Sequence, residues 1–313
     1  MTGLAAAAAA MTAVSRAPAF AQDGPAEQRC GSVELPCQVA GGAPHAGSYL
    51  IAFPQRPGAT ASTTGSVTGD AGATGGDTPA TARLGALVYL HGWQGTAQGV
   101  IRFAALRNVA SRYRLALIAP TGRGKTWSYP GSPSKRRDEF AFFDALLDDA
   151  VARFNLDPHR LIASGFSMGG SMAWYLACRR SARFAGFVPV AGAFWRPHPE
   201  SCDGPPPLIV HTHGLSDGTV PMNGRPIGDG YHQGSVRGSI ELMRRESRCT
   251  GAAEPQVMFD GTRSQLVCTR YTGCASGLVT SCLHAGAHSI RAEWVEHGVG
   301  KVFAARGWAR PGS

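Results

Sequence analysis

The sequence predicts an α/β fold in which a mainly parallel central sheet carries helices on both faces. Three observations support this. Short continuous apolar runs at 84–90, 115–120, 161–164, 187–191 and 208–214 recur between helix-like segments, and unbroken runs of that length suit strands buried on both faces. One run, Leu161-Ile162-Ala163-Ser164, stops at Gly165-Phe166-Ser167-Met168-Gly169 and passes at once into a helix-forming segment with Met172, Ala173, Leu176 and Ala177. Such a strand-turn-helix pushes one side chain, here Ser167, into an exposed and strained position. The alternation persists over residues 84–303, so functional groups are expected at the carboxyl ends of the strands.

In chain order, residues 4–14 are small and apolar and Ala19-Phe20-Ala21 has the small-x-small pattern of a cleavage site. A signal peptide over 1–21 and one catalytic domain over 22–313 are expected. The apolar run is too short to span a bilayer, which points to a soluble secreted or periplasmic protein. Eight cysteines, with no CxxC pair, suggest a disulfide framework instead of a zinc ribbon. Cys30 and Cys37 are seven residues apart, a spacing that suits a local bridge. Residues 48–54 read as the first strand. Residues 56–83 are almost entirely Gly, Ala, Thr, Ser, Pro and Asp, a composition that buries too little apolar surface to offset ordering. A flexible insert is expected there, forming an enlarged turn between paired strands.

The run at 84–90 ends in His91-Gly92-Trp93-Gln94-Gly95, a turn that can offer backbone N–H groups to a cleft. Residues 103–112 read as a helix. Thr121-Gly122-Arg123-Gly124-Lys125-Thr126 is not a phosphate-binding loop, because Ala119 stands where the first glycine belongs. A surface loop carrying Trp127 and Tyr129 near the cleft is expected instead. Asp138 opens an amphipathic helix with Phe140, Phe143, Leu147, Ala150, Val151 and Phe154 at helical spacing, and these aromatics belong to the core. The strand at 187–191 runs into Gly192-Ala193-Phe194-Trp195, and the strand at 208–214 into Asp217. A Cys-rich loop then precedes a final helix from Ile290 onward.

Ser167 needs a base to take its proton and a carboxylate to hold that base. Asp217 follows a strand at a turn, although Asp before Gly also serves ordinary turn chemistry. His288 lies in a loop before the last helix, with His284 as a competitor four residues away. The order Ser167, Asp217, His288 suits a serine hydrolase. The amides of Trp93 and Met168 are the expected oxyanion donors, the latter at a helix N-terminus. Trp127, Tyr129 and Trp195 are expected to line the substrate cleft. His211 and His213 alternate on a strand end, but no third ligand accompanies them, so no metal site is expected. The chemistry needs no metal or organic cofactor.

The net charge of +9 comes from 30 basic and 21 acidic residues. The clusters Lys135-Arg136-Arg137, Arg179-Arg180 and Arg244-Arg245 are short and separate, which suits a solvated basic surface better than a nucleic-acid footprint.

Five motifs carry a resemblance: Leu90-His91-Gly92-Trp93-Gln94-Gly95, Lys125-Thr126-Trp127-Ser128-Tyr129-Pro130-Gly131, Gly165-Phe166-Ser167-Met168-Gly169-Gly170, His213-Gly214-Leu215-Ser216-Asp217-Gly218-Thr219-Val220-Pro221 and Gly286-Ala287-His288. Together, and in this order, they resemble the secreted α/β-hydrolase esterase family of polyhydroxybutyrate depolymerases, feruloyl esterases and acetylxylan esterases. The resemblance covers nearly everything from residue 84 to the C-terminus. It implies the α/β-hydrolase fold, Ser167 as nucleophile, Asp217 as orienting acid, His288 as base and a Cys178–Cys202 disulfide. The chain departs from the family pattern at Pro120-Thr121-Gly122, at Ser289-Ile290 after the histidine, and in the insert at 56–83. The expected activity is hydrolysis of a polyester or oligoester, as in a polyhydroxybutyrate depolymerase; the alternative is a feruloyl or acetylxylan esterase acting on plant polysaccharide. A serine peptidase would use the same triad, and a binding protein on this fold would be expected to have lost part of it.

Overall fold

The computed structural model describes residues 30–39, 45–54, 83–258, 266–275 and 278–311. The expected signal peptide at 1–21 lies outside the described residues, as does the low-complexity insert expected at 56–83, except for Arg83.

The first strands are β1 (Cys37–Val39), β2 (Gly47–Ala52), β3 (Gly85–Leu90) and β4 (Leu115–Pro120), with helices α1 (Ala97–Arg102) and α2 (Ala104–Arg112) between the last two. Helix α3 (Glu139–Phe154), strand β5 (Leu161–Phe166), helix α4 (Met168–Arg179), strand β6 (Gly186–Val190) and strand β7 (Ile209–Gly214) follow. A small hairpin, β8 (Arg225–Ile227) and β9 (Tyr231–Gln233), precedes helix α5 (Val236–Glu246). Strands β10 (Ala253–Met258), β11 (Leu266–Tyr271) and β12 (Val279–His284) and helix α6 (Ala292–Ala305) complete the chain.

Among the described residues, ten strands form one sheet in the order β1-β2-β4-β3-β5-β6-β7-β12-β11-β10. The six from β4 to β12 in that order run parallel, and antiparallel strands flank them on both sides. Side chains alternate between the two faces, as a strand's period of two requires. Ala86, Val88 and Leu90 of β3 join the core beneath α3, α4 and α5, whereas Leu87 and Tyr89 join the core beneath α1, α2 and α6. Each face is thus closed by helices, which explains why the central strands read as continuous apolar runs.

Strand order reverses at β3. Its chain leaves toward α1 and reaches β4 on one side, while β5 lies on the other and feeds α4 on the opposite face. The two connections diverge and leave a crevice at the carboxyl ends of β3 and β5.

Three expectations need correction. Strands β2 and β3 do not pair; both border β4, so the insert is not a turn between paired strands. Strand β3 is buried at all six positions and sits inside the sheet, whereas β2, exposed in part at both ends, belongs nearer the edge. The Cys-rich stretch before His288 is not a loop but strands β11 and β12, where Cys268 and Cys282 are directly opposed and bridged. Strand β10 carries Pro255, which only an edge strand tolerates, and that proline obscures its strand pattern. On α3 the buried face is Phe142, Phe143, Leu146, Leu147 and Ala150, and Phe140, Val151 and Phe154 are half-buried at its margin.

All eight cysteines are paired, as Cys30–Cys37, Cys178–Cys202, Cys249–Cys274 and Cys268–Cys282. The Cys178–Cys202 bridge ties the end of α4 to the loop after β6 across 24 residues. Replacing both with Ser is expected to cost about 3 kcal/mol by freeing the unfolded chain, measured by denaturant unfolding. An unchanged unfolding midpoint would show that the loop is held by other contacts.

Candidate active site

Ser167 occupies the turn between β5 and α4 at φ 58° and ψ −120°, a backbone region that costs a non-glycine residue about 1–3 kcal/mol. Neighbours on every side hold it there. A Cβ on Gly169 would lie on the Leu90 carbonyl oxygen, and one on Gly165 would come within 2.6 Å of the Gly169 backbone. The flanking glycines therefore let β5 and α4 pass each other. The Ser167 amide donates to the Val190 carbonyl at 3.0 Å, tying the turn to β6. As N-cap of α4, a serine would ordinarily bond its own helix, but this side chain makes no such bond. It faces His288.

His288 Nδ1 lies 2.7 Å from Asp217 Oδ2, and its Nε2 lies 2.9 Å from Ser167 Oγ. Because an ionised carboxylate only accepts, Nδ1 carries the proton and Nε2 presents its lone pair to the serine hydroxyl. Asp217 Oδ1 accepts from the Thr219 and Val220 amides, both at 2.8 Å. One oxygen thus serves the turn and the other orients the imidazole. Burial opposes ionisation of Asp217, but the hydrogen bonds from His288 and the Val220 amide outweigh it and hold the carboxyl below its ordinary range. The Phe166 ring packs on His288 with centroids 4.7 Å apart.

The competitor His284 turns elsewhere. Its Nδ1 accepts from the Gly286 amide at 3.0 Å and its ring stacks on Trp294. The loops carrying Asp217 and His288 are stitched together by Leu215 N–H to the His284 carbonyl and Ser216 N–H to the Gly286 carbonyl. That junction unites residues 71 positions apart.

No described residue accepts a hydrogen bond from the Trp93 or Met168 amides, which leaves both N–H groups open at the crevice. Gly92 lies against the turn at Ser167: a Cβ there would meet Phe166 Cδ1 at 3.3 Å and Ser167 Cβ at 3.4 Å. His91 braces it: Nε2 accepts from the Gly122 amide at 3.1 Å, and Nδ1–H donates to the Gly92 carbonyl at 2.8 Å.

A cavity of about 590 Å³ opens at Ser167, with Trp93, Met168, Trp195, Ile227 and Gln233 in its lining. Trp93 is 67 % exposed at its rim. Trp195 lines it as expected, but Trp127 and Tyr129 do not. Trp127 is fully buried and donates its indole N–H to the His91 carbonyl at 2.8 Å, and Tyr129 is stacked on Tyr175 in the core. Both brace the cleft from behind. Arg137 likewise leaves the expected solvated surface to form a buried ion pair with Glu139 at 2.6 Å. Ile227 and Gln233 were not anticipated, because they reach the cleft only through the β8–β9 hairpin, which docks by a bridge from Gln233 to Trp195.

His211 and His213 have their ring nitrogens engaged: His211 Nδ1 with the Pro189 carbonyl at 3.0 Å, His211 Nε2 with His213 Nδ1 at 3.1 Å, and His213 Nε2 with the Val220 carbonyl at 2.8 Å. Among the described residues, Cys268, Cys282 and His297 also lie within metal-binding reach of one another, but both sulfurs are spent in a disulfide.

Burial lowers the pKa of His91, His198, His211, His213, His284 and His297, the last to about 4. A histidine depressed below its unfolded value of about 6.5 gives its full stabilisation above that pH, and loses it as pH falls because the unfolded chain takes the proton first. The thermal unfolding midpoint is therefore expected to be level above about pH 7 and to fall between about pH 6.5 and about pH 4. A midpoint that stays flat through that window would contradict it.

No family model matches the chain. A protein of Aspergillus clavatus named for feruloyl esterase C is 33% identical over 109 residues, 34% of this chain and 37% of the relative. Feruloyl esterase D of Neurospora crassa is 25% identical over 195 residues, 61% of this chain and 59% of the relative. The matches thus span less than two thirds of these relatives' length, 37% and 59%. Among solved structures, an acetyl xylan esterase from Aspergillus awamori superimposes with a TM-score of 0.54 at 12% identity, over 85% of this chain and 98% of that one, a likeness of fold. Over the matched stretches the chain is similar to feruloyl esterases, and it shares the α/β-hydrolase fold with the acetyl xylan esterase.

Proposed function

We propose that the protein is a serine carboxylic-ester hydrolase acting on feruloyl or acetyl esters of polysaccharide. The observation that carries the chemistry is the hydrogen-bonded chain from Ser167 Oγ through His288 to the buried Asp217. As Ser167 Oγ attacks the ester carbonyl, its proton passes to His288 Nε2, and Asp217 stabilises the imidazolium. The carbonyl oxygen becomes an oxyanion held by the Trp93 and Met168 amides. The alcohol leaves with the proton from His288, and water, deprotonated by the same base, releases the acid and restores Ser167.

The substrate class rests on the names of the matched relatives, feruloyl esterases C and D, which favour feruloyl esters over the polyhydroxybutyrate expected from motifs alone. Four disulfides suit an oxidising compartment, which supports export, with residues 22–313 as one catalytic domain. Among the described residues no helix is long and apolar enough to cross a membrane. The test is product release from methyl ferulate, acetylated xylan and amorphous polyhydroxybutyrate, with Ser167→Ala as control. Release of 3-hydroxybutyrate alone would reinstate the polyester reading.

A further inference from the structure

The cleft at Ser167 is lined by three basic side chains, Lys135, Arg136 and Arg225, and by no acidic one. None of the three is in an ion pair among the described residues, although Arg112, Arg153, Arg179, Arg180, Arg183, Arg244 and Arg245 all find carboxylates elsewhere. Acids close in sequence are committed or turned away. Asp138 caps α3, Glu139 is buried against Arg137, Asp217 holds His288, and Asp229 sits on the β8–β9 turn outside the cleft lining.

The Arg225 side chain and the backbone of residues 135–136 are also held in place. Arg225 Nε donates to the Thr219 carbonyl at 2.9 Å and to Gln233 Oε1 at 3.2 Å, and no described residue accepts from its two Nη groups. The Arg136 amide is held by Ser128 Oγ at 2.8 Å, and the buried Arg137 that follows anchors Lys135 and Arg136 to the fold. Through the Thr219 carbonyl Arg225 is tied to the loop carrying Asp217, which holds His288, the group that returns its proton to the leaving alcohol.

We propose that the cleft selects esters whose alcohol portion bears a carboxylate, chemically an ester on a uronate-bearing saccharide, and that Lys135, Arg136 and Arg225 bind that anion. This rests on the esterase reading. Exposed cations lining a cleft attract an anionic substrate over its neutral isostere, and salt screens the attraction.

The experiment compares kcat/KM for 3-carboxyphenyl acetate with that for 3-carbamoylphenyl acetate. A second pair places the charge on the acyl side, 4-nitrophenyl hydrogen glutarate against its terminal amide. The carboxylate is expected to be preferred about tenfold in the first pair at about 0.02 M salt, with the ratio falling toward one at about 0.5 M. The ratio should collapse in the triple variant K135Q/R136Q/R225Q and persist in K135R/R136K/R225K. Hydrolysis of both acetates at equal efficiency overturns the proposal and leaves the esterase reading standing, and a preference confined to the acyl pair overturns the alcohol-side assignment. If neither pair is hydrolysed the proposal also falls, and failure of a fluorophosphonate to label Ser167 would then show that the esterase reading falls with it.

Discussion

Replacing Ser167 with Ala is expected to lower kcat/KM on a small aryl ester by about 10⁴- to 10⁶-fold, because members of a triad act as one unit and removing the nucleophile leaves only the oxyanion donors and binding. Ser167 Oγ makes no helix-capping bond, so its loss should cost little stability. The variant should melt close to the wild type while a fluorophosphonate no longer labels it. Retention of most of the activity would move the nucleophile elsewhere and undo the assignment of His288 and Asp217 with it.

Asp217→Asn is expected to lower kcat by about 10⁴-fold with little change in KM. The direction follows from the hydrogen bonds around the carboxylate. The Thr219 and Val220 amides both donate to Oδ1, so the Asn oxygen must take that place and its NH2 group must face His288 Nδ1. That nitrogen then has to accept, which moves the imidazole proton to Nε2 and points it at Ser167 Oγ. The base is lost while its position is kept. His284→Gln, which removes a ring stacked on Trp294 and not in contact with Ser167, should leave kcat within about tenfold of the wild type. If His284→Gln instead proved the more damaging change, the base would be His284.

What could be read from the chain was local. The turn at Ser167 is legible because the constraint is a short-range one: strand, glycine, serine and helix must follow within a few residues for β5 and α4 to pass each other. Asp217 and His288 are legible as strand-end and loop residues, yet His288 is preferred to His284 only through the resemblance at Gly286-Ala287-His288, since the geometry depends on how the β7 and β12 loops are stitched. The aromatic residues divide the same way. Trp93 and Trp195 line the cleft, while Trp127 and Tyr129, in an equally plausible loop, are buried by contacts with His91 and Tyr175.

The sequence by itself determined the α/β class and the position of the strand-turn-helix at Ser167, because burial on two faces and close backbone passage each leave a mark within a few residues. Only the tertiary structure decided how His288 and not His284 is brought to Ser167, which strands close the sheet beyond β12, and that Arg225 and the 135–136 pair converge on one cleft. Those outcomes depend on contacts between segments far apart in the chain. No local pattern encodes them, since each is set by how two loops pack, and not by what either loop contains.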